Sequence, residues 1–422
     1  MKKKQALAGT LALVLAGSLA ACAPDPGDTV VDTLTMWARS STQDYSQRLV
    51  DVYNETHTPK IELTIVASDG FQQKVGAAAG ANSLPDILAS DVVYAPNYAK
   101  QGVYADITER IGALDFKDAL VKAHVDASTF DGRSYAVPHK VDSSFIFYNK
   151  DLFTKAGLDP EKPPVGYEEI YQAAKAIRGL GGDIYGAYFP GNCAGCNAYT
   201  SFGVAAAAGE LPISLDGQTA NLDTKALNDW FGLYRRLFAE GLVTPTAITG
   251  DTSTQQEPFL QGKAGIWPNG SYSIPKVSST AEFEWGYMPL TTADGLRSGT
   301  FVGGDVIGIT SSTKAPDAAW KFIEWSLGEE AQVEIVAKDG SLPVRTDLSD
   351  NEYTASDSRM VSIVTGMANG FTPSTRPYGE AINSPNGPWL EAVRGVVFGE
   401  APDTALAKGE AAVQALIDAA YS

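Results

Sequence analysis

Apolar positions along this chain fall into two alternating rhythms. LTMW at 34–37 is a short apolar block, and KIELTIVAS at 60–68 is apolar at every second position, the pattern of buried strands. Between them Tyr45, Leu49, Val52 and Tyr53 recur at helical spacing, which predicts a helix over 44–55, with Ser40, Ser41 and Thr42 as candidate caps. FQQKVGAAAGANS (71–83) predicts a helix ending near Gly80, LPDILAS (84–90) a short strand, and VVYAPNYAKQG (92–102) another helical stretch. Further on, FIFYNKDLFTKAGL (145–158) reads as strand then helix, and YEEIYQAAKAIRGL (167–180) as an amphipathic helix. A helix over 228–240 is rich in aromatics, and another starts at Pro316 with Phe322, Ile323 and Leu327 inward. Alternating strands and helices define an α/β chain with a mostly parallel sheet. Such sheets carry ligands at the carboxyl ends of their strands.

The first 32 residues follow a different rule. Three lysines precede the apolar stretch QALAGTLALVLAGSLA (5–20), which is too short to span a bilayer comfortably. A basic region followed by an apolar one is the layout of a secretory signal. It ends in Leu19-Ala20-Ala21-Cys22, which resembles the lipobox of bacterial lipoproteins, where the cysteine receives a diacylglycerol and becomes the mature N-terminus. We therefore expect a signal peptide at 1–21 and a lipid anchor at Cys22, with a polar tether through 32. That places the protein on the outer face of a cell membrane, a Gram-positive surface rather than a periplasm.

At 422 residues the chain exceeds what one hydrophobic core usually supports, so two domains are expected. Its net charge is −18, and three of its cations lie in the leader, so the body is more acidic still. Such a body repels phosphate backbones, and nucleic acid is excluded as a partner. Cys193 and Cys196 lie in GNCAGCNAY. Outside the cytoplasm such a pair reads as a disulfide stapling a loop, with a redox-active pair as the alternative. The three histidines have no metal-ligand spacing, and neither metal nor cofactor is expected. Trp230, Trp285, Trp320, Trp325 and Trp389 are read as core.

Five segments in order resemble the carbohydrate-binding group of solute-binding proteins of ABC importers. LPDILASDVVYAPNYAKQGVYADIT (84–108) carries a Pro-Asp strand, a helix and a Gly-x-x-x-Asp turn. FDGRSYAVPHKVDSSFIFYNKDLFTKAGLDP (130–160) carries a Tyr-x-x-Pro crossover before Tyr-Asn-Lys-Asp-Leu. FLQGKAGIWPNGSY (259–272), FVGGDVIGITSSTKAPDAAWKFIEWSLGEEAQ (301–332) and DGSLPVR (339–345) complete the set. The resemblance implies a two-domain periplasmic-binding-protein-like fold with three interdomain crossovers, near 137–141, 301–304 and 340–344, closing like a hinge on its ligand. Domain one would comprise 33–139 plus 304–342, and domain two 140–303 plus 343–422. It further implies a monomer without catalysis that hands its ligand to ABC permease subunits in the membrane.

A sugar presents apolar C–H faces and a rim of hydroxyls, and calls for aromatic faces with a few carboxylates, amides and cations. Residues at predicted strand ends and crevice loops supply the candidates. Trp37 and Arg39 follow the first strand, Asp69 and Phe71 the second, and Asp91 and Tyr94 the third. Lys140 and Asp142 lie beyond the first crossover, and Asn192 and Asn197 flank the cysteine pair. Trp267 and Asn269 end the GIWPNG strand, Gly304 and Asp305 sit at the second crossover, and Arg376 and Tyr378 lie in FTPSTRPYGEA (371–381). Each has a plainer reading: core for the aromatics, a helix cap for Asp69, a surface ion pair for Lys140 and Asp142. The expected ligand is an oligosaccharide. A polyamine, iron or peptide is the alternative solute, and a secreted glycosidase the alternative class, although no nucleophile motif or marked carboxylate pair appears.

Overall fold

The computed structural model describes residues 31–367, 370–399 and 402–422, without the side chains of Asp69 and Pro402. The leader, Cys22 and most of the tether lie outside the described residues. Strands β1 (Thr33–Arg39), β2 (Lys60–Val66) and β3 (Ile87–Asp91) run parallel, with Met36 opposite Ile87 and Thr33 opposite Lys60. Helices α1 (Gln43–Thr56) and α2 (Phe71–Gly80) connect them, and a short α3 (Ala95–Lys100) follows β3. Their ends fall within a residue or so of the apolar pattern, because burial of Leu49, Val50, Tyr53, Phe71 and Val75 decides where the helices lie.

Two long strands carry the sheet onward. β4 (Val137–Asn149) and β8 (Val302–Ile309) pair antiparallel, Asp142 opposite Gly303 and Val137 opposite Ile307, with a register shift between Asp305 and Val306. The late half of β8 pairs with β3, and the late half of β4 pairs with β6 (Ala264–Gly270) and β7 (Trp285–Met288). β5 (Tyr185–Ala187) lies parallel to β6, giving the order β2-β1-β3-β8-β4-β6-β5. β4 is buried throughout except at Lys140 and Asp142. Those two positions mark where the sheet passes from one half of the molecule to the other.

The second half packs α4 (Tyr167–Arg178), α5 (Ala194–Ala208), α6 (Lys225–Ala239) and α8 (Pro388–Phe398) around an aromatic core. Trp230, Trp285 and Trp389 are buried there, and Phe189 stacks on Tyr234 at 4.0 Å. Trp320 is buried on α7 (Pro316–Leu327) in the first half, whereas Trp325 at its end is half-buried, edge-on to Tyr53. Residues 344–353 hydrogen-bond to residues 119, 121 and 334. Val344 O accepts from Val121 N, Thr346 Oγ1 donates to Ala119 O, and Tyr353 Oη donates to Glu334. Arg359, donating to Trp285 O, is next seen against the second half.

Candidate functional site

The carboxyl ends of β1 and β3 meet the start of β8 at a charged cluster. Arg39 Nη1 lies 2.8 Å from Asp91 Oδ2, and its Nε donates to Asp305 Oδ1 at 3.0 Å, with Nη2 closer still to the same oxygen. Thr42 Oγ1, at the start of α1, donates to Asp305 Oδ2 at 2.9 Å. Asp305 is wholly buried, while Arg39 and Asp91 keep 14% and 19% of their side-chain surface. Burial alone would raise the Asp305 carboxyl, but Arg39, the His139 ring and the Thr42 hydroxyl outweigh it and hold it below the usual carboxylate range. Asp91 goes the other way: burial raises it, and Arg39 offsets only part. The arginine therefore belongs chiefly to Asp305, the better enclosed and doubly held partner.

Where the sheet crosses over, Lys140 Nζ and Asp142 Oδ1 stand 3.7 Å apart. Burial raises the Asp142 carboxyl against the pull of Lys140. Gly304 beside them has φ +112°, and a Cβ there would lie 2.0 Å from Lys140 O, so only glycine fits. On the second half's face Tyr199 lies over two more glycines. A Cβ on Gly270 would meet its ring at 2.4 Å and one on Gly303 at 3.1 Å. Tyr199 packs against Tyr272 at 5.8 Å and Phe301 at 5.2 Å, and Tyr272 Oη donates to Gln255. Among the described residues Tyr199 Oη is buried without a hydrogen-bond partner, and the Asn269 side chain is drawn to the Tyr272 hydroxyl. Buried polar groups are ordinarily paired, so an unpaired hydroxyl within electrostatic reach of the part-exposed Asp142 carboxylate stands out.

The two halves also touch at the rim. Asn383 Nδ2 donates to Tyr94 Oη at 3.4 Å, Tyr94 and Tyr378 meet edge to face at 6.4 Å, and Gly379 leaves room for Gln72 Oε1.

Several expected site residues lie elsewhere. Trp267 is fully buried between Phe147 and Phe259, at ring distances of 5.2 and 5.3 Å, so it is core and cannot present a face to a ligand. Phe71 is also core. Asn197 is buried and donates to Pro190 O and Cys193 O, which fixes the loop leading into α5. Asn192 is exposed and accepts from Arg394. Arg376 lies 3.9 Å from the Tyr421 ring centre and donates to Ala420 O, pinning the C-terminal helix. Trp37 is half-buried with Lys74 Nζ 4.4 Å above its ring. The side chain of Asp69 lies outside the described residues. Cys193 and Cys196 are joined in a disulfide. Arg39, Asp91, Tyr94, Lys140, Asp142, Asn269, Gly304, Asp305 and Tyr378 line the junction described above. Thr42, Tyr199, Tyr272, Gln255 and Asn383 join them without having been expected. Among the described residues no group of three or more His, Cys, Asp or Glu side chains could hold a metal ion.

The family profile of bacterial extracellular solute-binding proteins matches residues 39–333. The chain belongs to that family. The diacetylchitobiose binding protein DasA of Streptomyces coelicolor is 26% identical over 405 residues, spanning 91% of this solute-binding protein and 92% of that one. Among solved structures, the cyclic alpha-maltosyl-1,6-maltose binding protein of Arthrobacter globiformis superposes with a TM-score of 0.77 at 25% identity, covering 92% of this chain and 99% of that one. An ABC transporter solute-binding protein of Thermotoga lettingae, bound with alpha-D-tagatose, superposes with a TM-score of 0.80 at 21% identity over 91% and 99% of the two chains. The fold of this solute-binding protein is accordingly the two-domain α/β architecture of such proteins.

Proposed function

We propose that this solute-binding protein captures a carbohydrate, an oligosaccharide by preference, between its two halves and delivers it to the permease subunits of an ABC importer. The observation that carries the reading is the unpaired Tyr199 hydroxyl near Asp142. The Tyr199 and Tyr272 rings offer surface for sugar C–H faces, while Tyr199 Oη offers unspent hydrogen-bonding capacity for a hydroxyl. The names of the relatives support the same chemistry. The Arg39–Asp91–Asp305 cluster, largely satisfied within itself, serves to fix the strand ends and leaves Asp91 as its half-open acceptor.

The domain division we propose is 33–139 plus 304 onward for the first half and 140–303 plus the C-terminal region for the second. The contacts of residues 344–353 favour a third passage between Tyr353 and Arg359 over one at 340–344. Closure about these passages would bury the ligand, and the permease would discriminate closed from open by population shift. The protein performs no chemistry on its ligand, acts as a monomer, and is held at the outer membrane face through a diacylated Cys22.

A thermal-shift screen against mono- to tetrasaccharides, polyamines and ferric iron tests the reading, since a tight ligand raises the melting temperature by mass action. A shift with one saccharide series supports it. A shift with polyamine or iron alone removes the carbohydrate assignment, and new reducing ends appearing in an oligosaccharide incubation would remove the non-catalytic one.

A further inference from the structure

The first turn of α5 ties together more of the molecule than a surface loop needs. Cys193 stands at its N-cap, disulfide-bonded to Cys196. The carbonyl of Ala194 between them accepts from the buried Trp389 Nε1 at 3.1 Å, and Cys193 Sγ lies 3.4 Å from Thr252 Oγ1. Gly195 faces Asn383: a Cβ there would lie 3.2 Å from Asn383 Oδ1. Asn383 is the side chain that donates to Tyr94 across the junction of the two halves. A single glycine therefore separates the disulfide from a contact made between the halves.

We propose that the Cys193–Cys196 pair is a redox control on closure of the cleft, an inference that rests on the binding function above. The oxidised turn holds Gly195 where Asn383 can reach Tyr94, and reduction loosens that bridge and favours the open form. The chemistry is thiol–disulfide exchange with an external dithiol. Cys193 is buried and Cys196 half-buried, so the attacking thiolate reaches the Cys196 sulfur. The S–S bond breaks and Cys193 leaves with the electron pair. That sulfur accepts from Cys196 N at 3.1 Å at the positive end of a 15-residue helix, a setting that stabilises a thiolate. The second thiol of the reagent then displaces Cys196. The dithiol gives up two electrons and two protons and becomes a cyclic disulfide, and the protein gains two thiols.

The test compares the oxidised full chain, without ligand, with the same chain in excess dithiol and after reoxidation. Hydrogen exchange of residues 379–386 and the radius of gyration from small-angle scattering are the readouts. Reduction is expected to speed exchange in that segment about tenfold and enlarge the radius, both reversed on reoxidation. In Asn383→Ala the bridge is already lost, so the oxidised and reduced forms should match. Unchanged exchange and radius on reduction of the wild type would overturn the proposal, as would a redox response that persists undiminished in Asn383→Ala. Because these readouts need no ligand, a chain that binds no carbohydrate would sink the functional reading and leave this one standing or falling on its own result.

Discussion

Arg39, at the end of the first strand, donates through Nε to Asp305, a fully buried carboxylate 266 residues further along the chain. The pair joins the start of the sheet to the strand that crosses between the halves. Removing one partner of a buried pair leaves an uncompensated charge, which typically costs about 3–5 kcal/mol. Arg39→Ala should therefore unfold at markedly lower urea concentration, with an unchanged slope. Asp305→Asn, which keeps the shape and the Thr42 contact, should cost less. If Arg39→Ala matches the wild-type midpoint, the cluster is not what holds these strand ends.

Acid should weaken the fold through two histidines that grip the crossover strands. His124 Nε2 lies 2.9 Å from Gly303 O, and His139 Nε2 lies 2.9 Å from Ser46 Oγ. Burial pushes both down to about 4, against the attraction of Asp305. Between about 6.5 and 4 the unfolded chain binds protons that the folded one refuses, so stability falls as pH falls through that window, by an order of 3 kcal/mol per histidine. Asp305, held low in the folded state, adds a loss at still lower pH. Asp91 and Asp142, held high, act in the opposite sense: their stabilisation is present in acid and lost as pH rises through their folded values. Urea unfolding at stepped pH should show the decline, and His124→Gln should flatten it between pH 4 and 6.5.

Trp267 and Tyr272 lie five residues apart and should fail in different assays. Trp267→Ala empties a buried site between Phe147 and Phe259, and large aromatic truncations of this kind cost about 3–5 kcal/mol. Tyr272→Ala removes a half-buried ring beside Tyr199 and should mainly weaken ligand binding, about tenfold or more, with a smaller change in stability. Calorimetry on both variants separates the roles. A Trp267→Ala protein of normal stability that no longer binds ligand would return Trp267 to the site.

The fold was readable because the rhythm of apolar residues reports burial, and burial decides where strands and helices lie. Tyr45, Leu49 and Tyr53 face inward as their spacing required, whereas Val52 is exposed and Val50 takes its place in the core. Of the candidate site, only the charged cluster was legible: Arg39, Asp91 and Asp305 could hardly be core unless paired, and they pair with one another. Aromatics carried no such signal. In GIWPNGSY the strand is buried along its whole length, so Trp267 packs into the core on either face, and the chain then presents Tyr272 just past the strand's end. Period-two alternation carries no signal in a strand buried on both faces, and Pro268 and two glycines blur where it ends. Asn383 was invisible because its importance comes from Tyr94, far away in sequence. Arg376 had the chemistry of a ligand contact, but its partner proved to be the protein's own C-terminus.

Gly304 should tolerate no side chain. Its φ of +112° lies outside what L-residues adopt comfortably, and a Cβ would stand 2.0 Å from Lys140 O, backbone that cannot step aside without breaking the β4–β8 pairing. Gly304→Ala is expected to cost at least 1–2 kcal/mol from the backbone conformation alone, more with the clash. Gly76, with open space around it in a helix, is the control: Gly76→Ala should leave stability unchanged or raise it. Thermal midpoints of the two variants against wild type give the answer, and a Gly304→Ala midpoint equal to wild type would mean that the crossover is free to shift.

Tyr199 offers the sharpest separation of binding from folding. Its hydroxyl is buried with no partner among the described residues, so in the free protein it carries a desolvation penalty of about 1–3 kcal/mol with nothing returned. Removing the oxygen alone should therefore leave the ligand-free protein as stable as before or more so. If a carbohydrate hydroxyl is what pairs with that oxygen, Tyr199→Phe should weaken binding about tenfold, because the bond is made only in the complex. Melting temperatures of the free protein and dissociation constants for its best saccharide read the two effects independently. A variant that melts lower in the free state would show that the hydroxyl already has a partner, and one that binds its saccharide as tightly as wild type would move the ligand away from this hydroxyl.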